Sequence, residues 1–390
     1  MTRKKKDKEF ADLTQDIDVE KFRVSVRGAF ADFSDPRAVT RCVYPAWFMF
    51  LVILSGYLAG CNTIADIAHF AELREPWFAN LSGLSIGVPS YNTLWWFLVR
   101  VRPAVFKALI TKWFQHLDQH LKDQLLVIDG KRLRGVSDSE HVAHIVELFA
   151  AEKRLIIAQE RVPDKAGERQ ALPALLDSVD VKGAIVTMDA LYAHIADVEE
   201  VLRREADYIV GIKGNQGTLE AEVRNFFEQA DAVDYEDVPI MRATTVEKSH
   251  GRIEERTVCV TNDLEWLPQR EQWHLQSLIE VRSQRTVEGQ VERAIRYYGS
   301  SRRGTADQFM HWIREHWSIE VMHHVMDVVF EEDASLGDSG ASAENMSLIR
   351  RLAGNVIQMF DPHRGITNAR RCATYEPAYL RGLLGKVFVK

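Results

Sequence analysis

The sequence predicts a mixed α/β protein in which a helical N-terminal part precedes a core that contains strands. Three observations lead to this prediction. Apolar residues recur at helical spacing over residues 41–118, short apolar runs closed by an acidic residue begin near residue 124, and strand-like alternation fills residues 240–303. A chain of 390 residues is long enough to bury the cores of two or three domains.

The N-terminal part is predicted to consist of a charged arm, residues 1–40, and a helical domain, residues 41–120. Within it, residues 42–61 carry no charge over twenty positions, which is the length of a membrane span. Pro45, Gly56 and Gly60 interrupt this run, and no second apolar segment of that length follows. A buried helix is therefore favoured, and a protein with one membrane span remains the alternative.

Residues 121–360 are predicted to form one α/β domain. Its elements follow in the order strand, hairpin, helix, strand, helix, strand, and a β-rich insertion at about 235–303 comes next. A ribonuclease H-like core has this order, although other α/β folds can produce it as well. Residues 361–390, with six Lys and Arg against two acids, are predicted to be a basic C-terminal tail.

Two aspartates close apolar runs within this core. Asp129 follows the run Leu-Leu-Val-Ile, and Asp189 follows Ile-Val-Thr-Met. A carboxylate at the carboxyl end of a buried strand points into the crevice where open α/β sheets bind ligands. Two such acids on adjacent strands repel each other unless a cation lies between them, and divalent metals prefer oxygen ligands. The alternative for either aspartate alone is a turn-forming role.

Glu320 is the third candidate acid, and its position is predicted to be the middle of a long helix. His316, Trp317 and His324 lie at helical spacing from it, so we expect Glu320 on a face rich in apolar and aromatic surface. A buried glutamate needs a partner, either a metal ion or one of these histidines. The histidines, with His323, lack the accompanying Cys or HExxH pattern of a zinc site.

The net charge of −7 argues against a simple non-specific nucleic-acid binder, so DNA contact requires local basic patches. Residues 282–303 contain six arginines, two glutamates, Tyr297 and Tyr298. Arginine interleaved with aromatics suits phosphate contact and base stacking, and a solvated strand face is the alternative. The candidate DNA-binding residues are Lys131, Arg132, Lys213, Asn215, Gln216, Arg252, Arg282, Arg293 and Arg296.

The four cysteines, which form no CxxC pair, predict neither a zinc site nor a disulfide framework. The basic start of the chain is followed by no apolar segment of a secretory signal. Both observations favour a cytoplasmic protein, associated with the bacterial nucleoid if it binds DNA.

Sequence blocks spread from about residue 40 to residue 360 together resemble a known family. They are YPAWFMFLVILSGYLAGC, GVPSYNTL, VIDGKRLRG, IVTMDALYAH, DYIVGIKGNQ, SHGRIEERTV, HWSIEVMHH and AENMSLIRRLAGNVI. In this order and spacing they are similar to the ISAs1-type, or H-repeat-associated, transposases of the IS4-like DDE group.

The resemblance implies a ribonuclease H-like catalytic core with a β-insertion, behind a helical N-terminal domain. It also implies that Asp129, Asp189 and Glu320 form the catalytic, metal-binding triad, with two Mg²⁺ or Mn²⁺ ions as cofactors. Double-stranded DNA is the implied substrate, cleaved and transferred at insertion-sequence ends. Synapsis of two such ends implies a homodimer, and no membrane is involved.

The chain departs from the family pattern at several positions. Tyr91-Asn92-Thr93 stands where the family has an HDT-like sequence. Ile313, His316 and Asp327 stand at the offsets where the broader IS4 group has Tyr, Arg and Lys, so that auxiliary phosphate contact cannot be carried over. A domesticated DDE nuclease that does not integrate DNA, and a catalytically silent DNA-binding regulator, therefore remain alternatives.

Overall fold

A computed structural model describes residues 13–14, 16–37, 42–117, 121–133, 144–249, 252–287, 289–334 and 340–389. The described strands form one mixed nine-stranded sheet. They are β1 Leu125–Arg132, β2 His144–Ala150, β3 Leu155–Val162, β4 Ile185–Met188, β5 Asp207–Ile212, β6 Ile240–Ser249, β7 Arg252–Thr261, β8 Ser277–Val287 and β9 Gln290–Ser300.

Helices precede, interrupt and follow the strands. Before β1 lie α1 Val19–Ala29, α2 Ala46–Leu58, α3 Ile64–Leu73, α4 Glu75–Ser82, α5 Tyr91–Arg100 and α6 Pro103–Leu117. Between the strands lie α7 Glu168–Asp177, α8 Ile195–Leu202 and α9 Gly217–Ala232. After β9 lie α10 Ala306–His316, α11 Ser318–Val328, α12 Gly340–Phe360, α13 Ile366–Tyr375 and α14 Pro377–Phe388.

The strand order across the sheet is β3-β2-β1-β4-β5-β9-β8-β7-β6. Strands β1, β4 and β5 run parallel, and the other neighbouring pairs are antiparallel. The mixed α/β class and the strand-rich insertion agree with the sequence. The insertion continues the sheet of the core, because β9 pairs with β5 through Val210 and Gly299.

Helices cover both faces of the central strands of the sheet. On β1, Leu125 and Val127 pack into the core that contains helices of the N-terminal part together with α10, α11 and α12. Leu126 and Ile128 point the other way, into the core beneath α7, α8 and α9. Burial on both faces explains why the central strands are continuous apolar runs without polar alternation.

The uncharged run at residues 42–61 forms the core helix α2. Every α2 residue except Trp47 is buried. Gly56 lies so close to α3 that a Cβ there would be 2.7 Å from the Ile67 side chain. No helix in the described ranges combines the length and hydropathy that a membrane crossing needs.

The long helix predicted around Glu320 is two helices. The first, α10, begins with a capping box of Thr305 and Gln308. At its end the Trp317 N–H donates to the Arg314 carbonyl at 3.2 Å, a tightened turn that separates α10 from α11. Glu320 therefore lies in the first turn of α11, where the sequence predicted the middle of a helix.

The predicted basic tail is folded onto the protein as α13 and α14. Tyr379 and Leu383 of α14 are fully buried. Arg370 of α13 is 4% exposed, and its guanidinium donates to the carbonyls of Tyr57 at 2.9 Å and Cys61 at 3.0 Å. Part of the basic charge counted from the sequence is therefore used to hold backbone carbonyls, because a buried carbonyl needs a donor.

Candidate active site

The register of two parallel strands brings Asp129 and Asp189 together. Ile128 of β1 lies opposite Met188 of β4, so the aspartate that follows each residue occupies the same edge of the sheet. Asp189 also caps the short 3₁₀ turn behind it, since its carboxylate accepts the Leu191 N–H at 2.7 Å. The expectation that the two aspartates are neighbours thus agrees with the strand pairing.

The charges of Asp189 and Glu168 act on the carboxyl of Asp129. Burial raises the pKa of Asp129 to about 6, and the negative charges of Asp189 and Glu168 add to this rise. The His323 ring and the Gly130 N–H act in the opposite direction. A carboxyl with a raised pKa among like charges marks a place where a cation would be stabilised.

Glu320 is exposed, whereas the sequence analysis expected a buried side chain. One turn further along α11, His323 lies with Nδ1 at 3.8 Å from Asp129 Oδ2 and Nε2 at 2.9 Å from the Glu147 carboxylate. Residues three apart on a helix are neighbours, so the contact of His323 with Asp129 brings the face of α11 that carries Glu320 towards β1. In the described ranges, no three His, Cys, Asp or Glu side chains are yet close enough to enclose a metal ion.

The donor chemistry of this place suits a divalent cation. Asp129 and Asp189 supply carboxylate oxygens, the ligands that Mg²⁺ and Mn²⁺ prefer. The Tyr192 hydroxyl, on the short turn that Asp189 caps, is buried and has no hydrogen-bond partner among the described residues. Burial raises the pKa of Tyr192, and the charges of Glu168, Asp189 and Asp129 add to this rise.

A buried network of charges, which the sequence analysis did not predict, supports this site. Lys131 Nζ pairs with Asp327 and, at 3.0 Å, with Glu332. Arg351 joins Glu332 to Glu147, and Glu147 accepts from His323. The available signal was a glutamate inside the otherwise apolar strand His144–Ala150. Lys131 is only 7% exposed and already paired, which argues against it as a phosphate contact.

Both buried glutamates of the network have lowered pKa values. Burial would raise the pKa of Glu147, but the charges of Arg351 and His323 and their hydrogen bonds outweigh burial and lower it to about 2. The pKa of Glu332 would also be raised by burial, but the charges of Arg351 and Lys131 outweigh burial and lower it. Buried charges persist only when they are paired, so these groups fix how α11 and α12 sit on β1 and β2.

Asn215 and Gln216 hold the turn that carries Asp189. The Asn215 amide donates to the Ala190 carbonyl at 2.7 Å, and the Gln216 amide donates to the Ala193 carbonyl at 2.8 Å. These hydrogen bonds give both amides a structural role, whereas the sequence predicted that they contact DNA. Lys213, just before them, is exposed.

A groove of about 160 Å³ opens next to Asp189. Lys213, Arg296 and Trp317 line it, and the Arg296 guanidinium lies 5.4 Å from the Trp317 ring centroid. His316 forms the inner wall, with Nδ1 3.1 Å from the Thr187 hydroxyl. Burial lowers the pKa of His316 to about 4 against the opposing charge of Asp189, so this wall is neutral at physiological pH.

The remaining candidate cations divide into two groups. Arg132, Arg252 and Arg293 are exposed at β1, β7 and β9. Arg282 instead donates to Glu280 at 2.6 Å and to Asp231 at 2.8 Å, so its charge is largely neutralised. The exposed arginines can meet an anionic partner without breaking a buried contact.

Comparison with known proteins identifies the family. Residues 120–356 match the family described as Transposase DDE domain, and residues 27–114 match the one described as DDE_Tnp_1-associated. "Putative transposase YncI" of Escherichia coli O157:H7 is 28% identical over 86% of this chain and 88% of its own length. "H repeat-associated putative transposase YhhI" of Escherichia coli K12 is 28% identical over 86% and 90%.

A solved structure was also found, the cryo-EM structure of the piggyBac transposase synaptic complex with hairpin DNA. It covers 97% of this chain and 79% of its own, with a TM-score of 0.43 and 10% identity, and this weak overlap carries no argument. The DDE match spans more than half of the chain and includes both strand-end aspartates and Glu320. The chain therefore belongs to the DDE transposase family, with H-repeat-associated transposases among its relatives.

Proposed function

We propose that this transposase cleaves and transfers DNA strands at the edge of the sheet where Asp129 and Asp189 meet. The observation that supports the proposal is the parallel register of β1 and β4, in which Ile128 pairs with Met188, because the aspartate after each of these residues lies at the same edge of the sheet. The strand order β3-β2-β1-β4-β5, with α7 between β3 and β4, supports a ribonuclease H-like core. Helices α2–α6 would then be its helical N-terminal domain.

Asp129, Asp189 and Glu320 are the residues proposed to hold two Mg²⁺ or Mn²⁺ ions. When bound, such ions lower the pKa of a water or hydroxyl nucleophile and stabilise the leaving oxygen in an in-line phosphoryl displacement. The chain positions the ligands. His323 contacts Asp129 one turn after Glu320, so α11 is held close to β1 where the third carboxylate is needed.

The DNA backbone is proposed to follow the basic groups around the groove. Lys213 and Arg296 line the groove beside Asp189, and Arg132, Arg252 and Arg293 are exposed beyond it. Because phosphate contacts position a duplex without reading its sequence, these residues would supply affinity and register. Two DNA ends must be brought together for transposition, so we infer that the active form is a homodimer.

The test is cleavage of a supercoiled plasmid that carries the native flanking sequence of the gene, with Mg²⁺ or Mn²⁺. We expect nicking by the wild-type protein and loss of nicking in Asp129→Asn, Asp189→Asn and Glu320→Gln. These isosteric changes remove one charge each, so DNA affinity measured by fluorescence anisotropy should be retained. A matched control is Glu315→Gln, the same change five residues before Glu320.

Nicking that survives in the aspartate variants would contradict the site assignment. Nicking lost in the aspartate variants but kept in Glu320→Gln would contradict only the role of Glu320. Joining of labelled ends to a second plasmid separates a transposase from a nuclease that does not integrate DNA. Sedimentation of the protein with two-ended DNA tests the homodimer.

A further inference from the structure

We propose that Glu168 is an additional cation-binding carboxylate of the Asp129–Asp189 site, approaching it from the opposite face of the sheet. The proposal rests on the proposed function and deepens it, since it concerns the same divalent cation. Glu168 is the first residue of α7, and α7 packs in the core on the other side of the sheet from α11.

Gly130 makes this approach possible. The Glu168 carboxylate lies directly against Gly130, the residue after Asp129, and a Cβ at Gly130 would be 2.2 Å from Glu168 Oε1. A glycine at this strand position lets a side chain from the far face come close to the backbone. Strand β4 ends at Met188, so β4 does not extend between Glu168 and the sheet edge where Asp189 lies.

A hydrogen bond orients the Glu168 carboxylate, which lies among like charges. Its Oε1 is hydrogen-bonded to His144 Nε2, and only 4% of the residue is exposed. Burial raises the pKa of Glu168, the His144 contact opposes the rise, and the charge of Asp189 adds to it. A buried acid among like charges is costly unless a cation neutralises the group.

Tyr192 gives independent support for a ligand. Its hydroxyl is buried and has no hydrogen-bond partner in the described part of the chain. Burial raises the pKa of this hydroxyl, and the charge of Glu168 adds more to the rise than the charges of Asp189 and Asp129 do. An orphaned hydroxyl on the turn that Asp189 caps suits a hydrated cation, because bound water can donate to the acids and accept from the phenol.

Glu320 and Glu168 are therefore placed differently. Glu320 is exposed on a helix above Asp129, whereas Glu168 is fixed beneath it before any DNA binds. We infer that Glu168 contributes to the affinity for the first cation in the absence of DNA.

The experiment measures Mn²⁺ binding to the full-length protein without DNA, from the electron paramagnetic resonance signal of free Mn²⁺. Wild type, Asp189→Asn, Glu168→Gln and the control Glu199→Gln are compared; Glu199 is an exposed acid on α8. We expect Glu168→Gln to weaken Mn²⁺ binding by at least about tenfold. Glu199→Gln should remain within about threefold of wild type.

Unchanged affinity in Glu168→Gln, when Asp189→Asn loses binding, would overturn the inference and leave the proposed function intact. Absence of binding in the wild type, or equal binding in Asp189→Asn, would instead refute the proposed cation site itself. If circular dichroism shows that Glu168→Gln is unfolded, Glu168→Asp replaces it. That variant keeps the charge but withdraws the carboxylate, so affinity equal to wild type would again overturn the inference.

Discussion

Replacing Arg351 with methionine tests whether the buried charge network holds the active site together. Arg351 is 3% exposed and pairs with Glu147 and Glu332, which are equally buried. The variant keeps the apolar bulk of the side chain but leaves both carboxylates without their shared cation. His323 still donates to Glu147, and Lys131 still pairs with Glu332.

The magnitude follows from the pairing of Glu147. Its pKa is lowered from 4.5 to about 2, and one pKa unit corresponds to about 1.4 kcal/mol, so pairing stabilises the folded state by about 3 kcal/mol at pH 7. Breaking one partner of a buried pair costs about 3–5 kcal/mol by mutation. We therefore expect Arg351→Met to lower the free energy of unfolding at pH 7 by about 3–5 kcal/mol.

The pH dependence gives the same prediction a second measurement. Because the folded pKa of Glu147 lies below its unfolded value, its contribution is present above about pH 4.5 and is lost as the pH falls towards 2. In Arg351→Met the carboxyl has lost its strongest cation and protonates more readily. The difference in unfolding free energy between variant and wild type should therefore shrink from pH 7 to pH 4.

Urea unfolding followed by tryptophan fluorescence at both pH values is the assay. Arg224→Met is the matched control, because Arg224 makes an exposed ion pair with Glu220 on α9 and should cost no more than about 1 kcal/mol. Combining Arg351→Met with Glu147→Gln and Glu332→Gln should restore most of the loss. A cost below about 1 kcal/mol for Arg351→Met alone, or one that grows at pH 4, would refute the reasoning.

Three further outcomes are expected. Asn215→Ala should slow DNA cleavage by about tenfold with unchanged DNA affinity, because the amide holds the turn behind Asp189; a fall in DNA affinity and salt dependence would point to phosphate contact instead. The wild type should lose about 3 kcal/mol of unfolding free energy between pH 6.5 and pH 4, because the folded pKa of His316 is about 4 and the unfolded chain takes up the proton first. His316→Gln should not show this loss, and urea midpoints that change identically with pH in both proteins would contradict the prediction. Arg296→Ala should reduce the slope of log affinity against log salt by about one, as for one lost phosphate contact, and an unaltered slope would remove Arg296 from the DNA path.

The sequence alone predicted many of the local elements and two of the candidate site residues. Asp129 and Asp189 could be singled out because each ends a run of buried apolar residues, and strand ends are where such sheets bind ligands. The β-rich insertion was predicted from strand-like alternation, and α2 was predicted as a core helix, because hydrophobic periodicity is a local property of the chain.

Only the tertiary structure decided how the charged residues are used. Charged residues usually lie at the surface, but four of them are buried here: Lys131, Glu147, Glu332 and Arg351. Their burial depends on partners up to about two hundred positions away. The break at Trp317 moved Glu320 to the start of a helix, and the sheet register brought Glu168 to Gly130 from the opposite face. Periodicity reports which face a residue occupies, whereas ion pairing and packing depend on which distant element lies against that face.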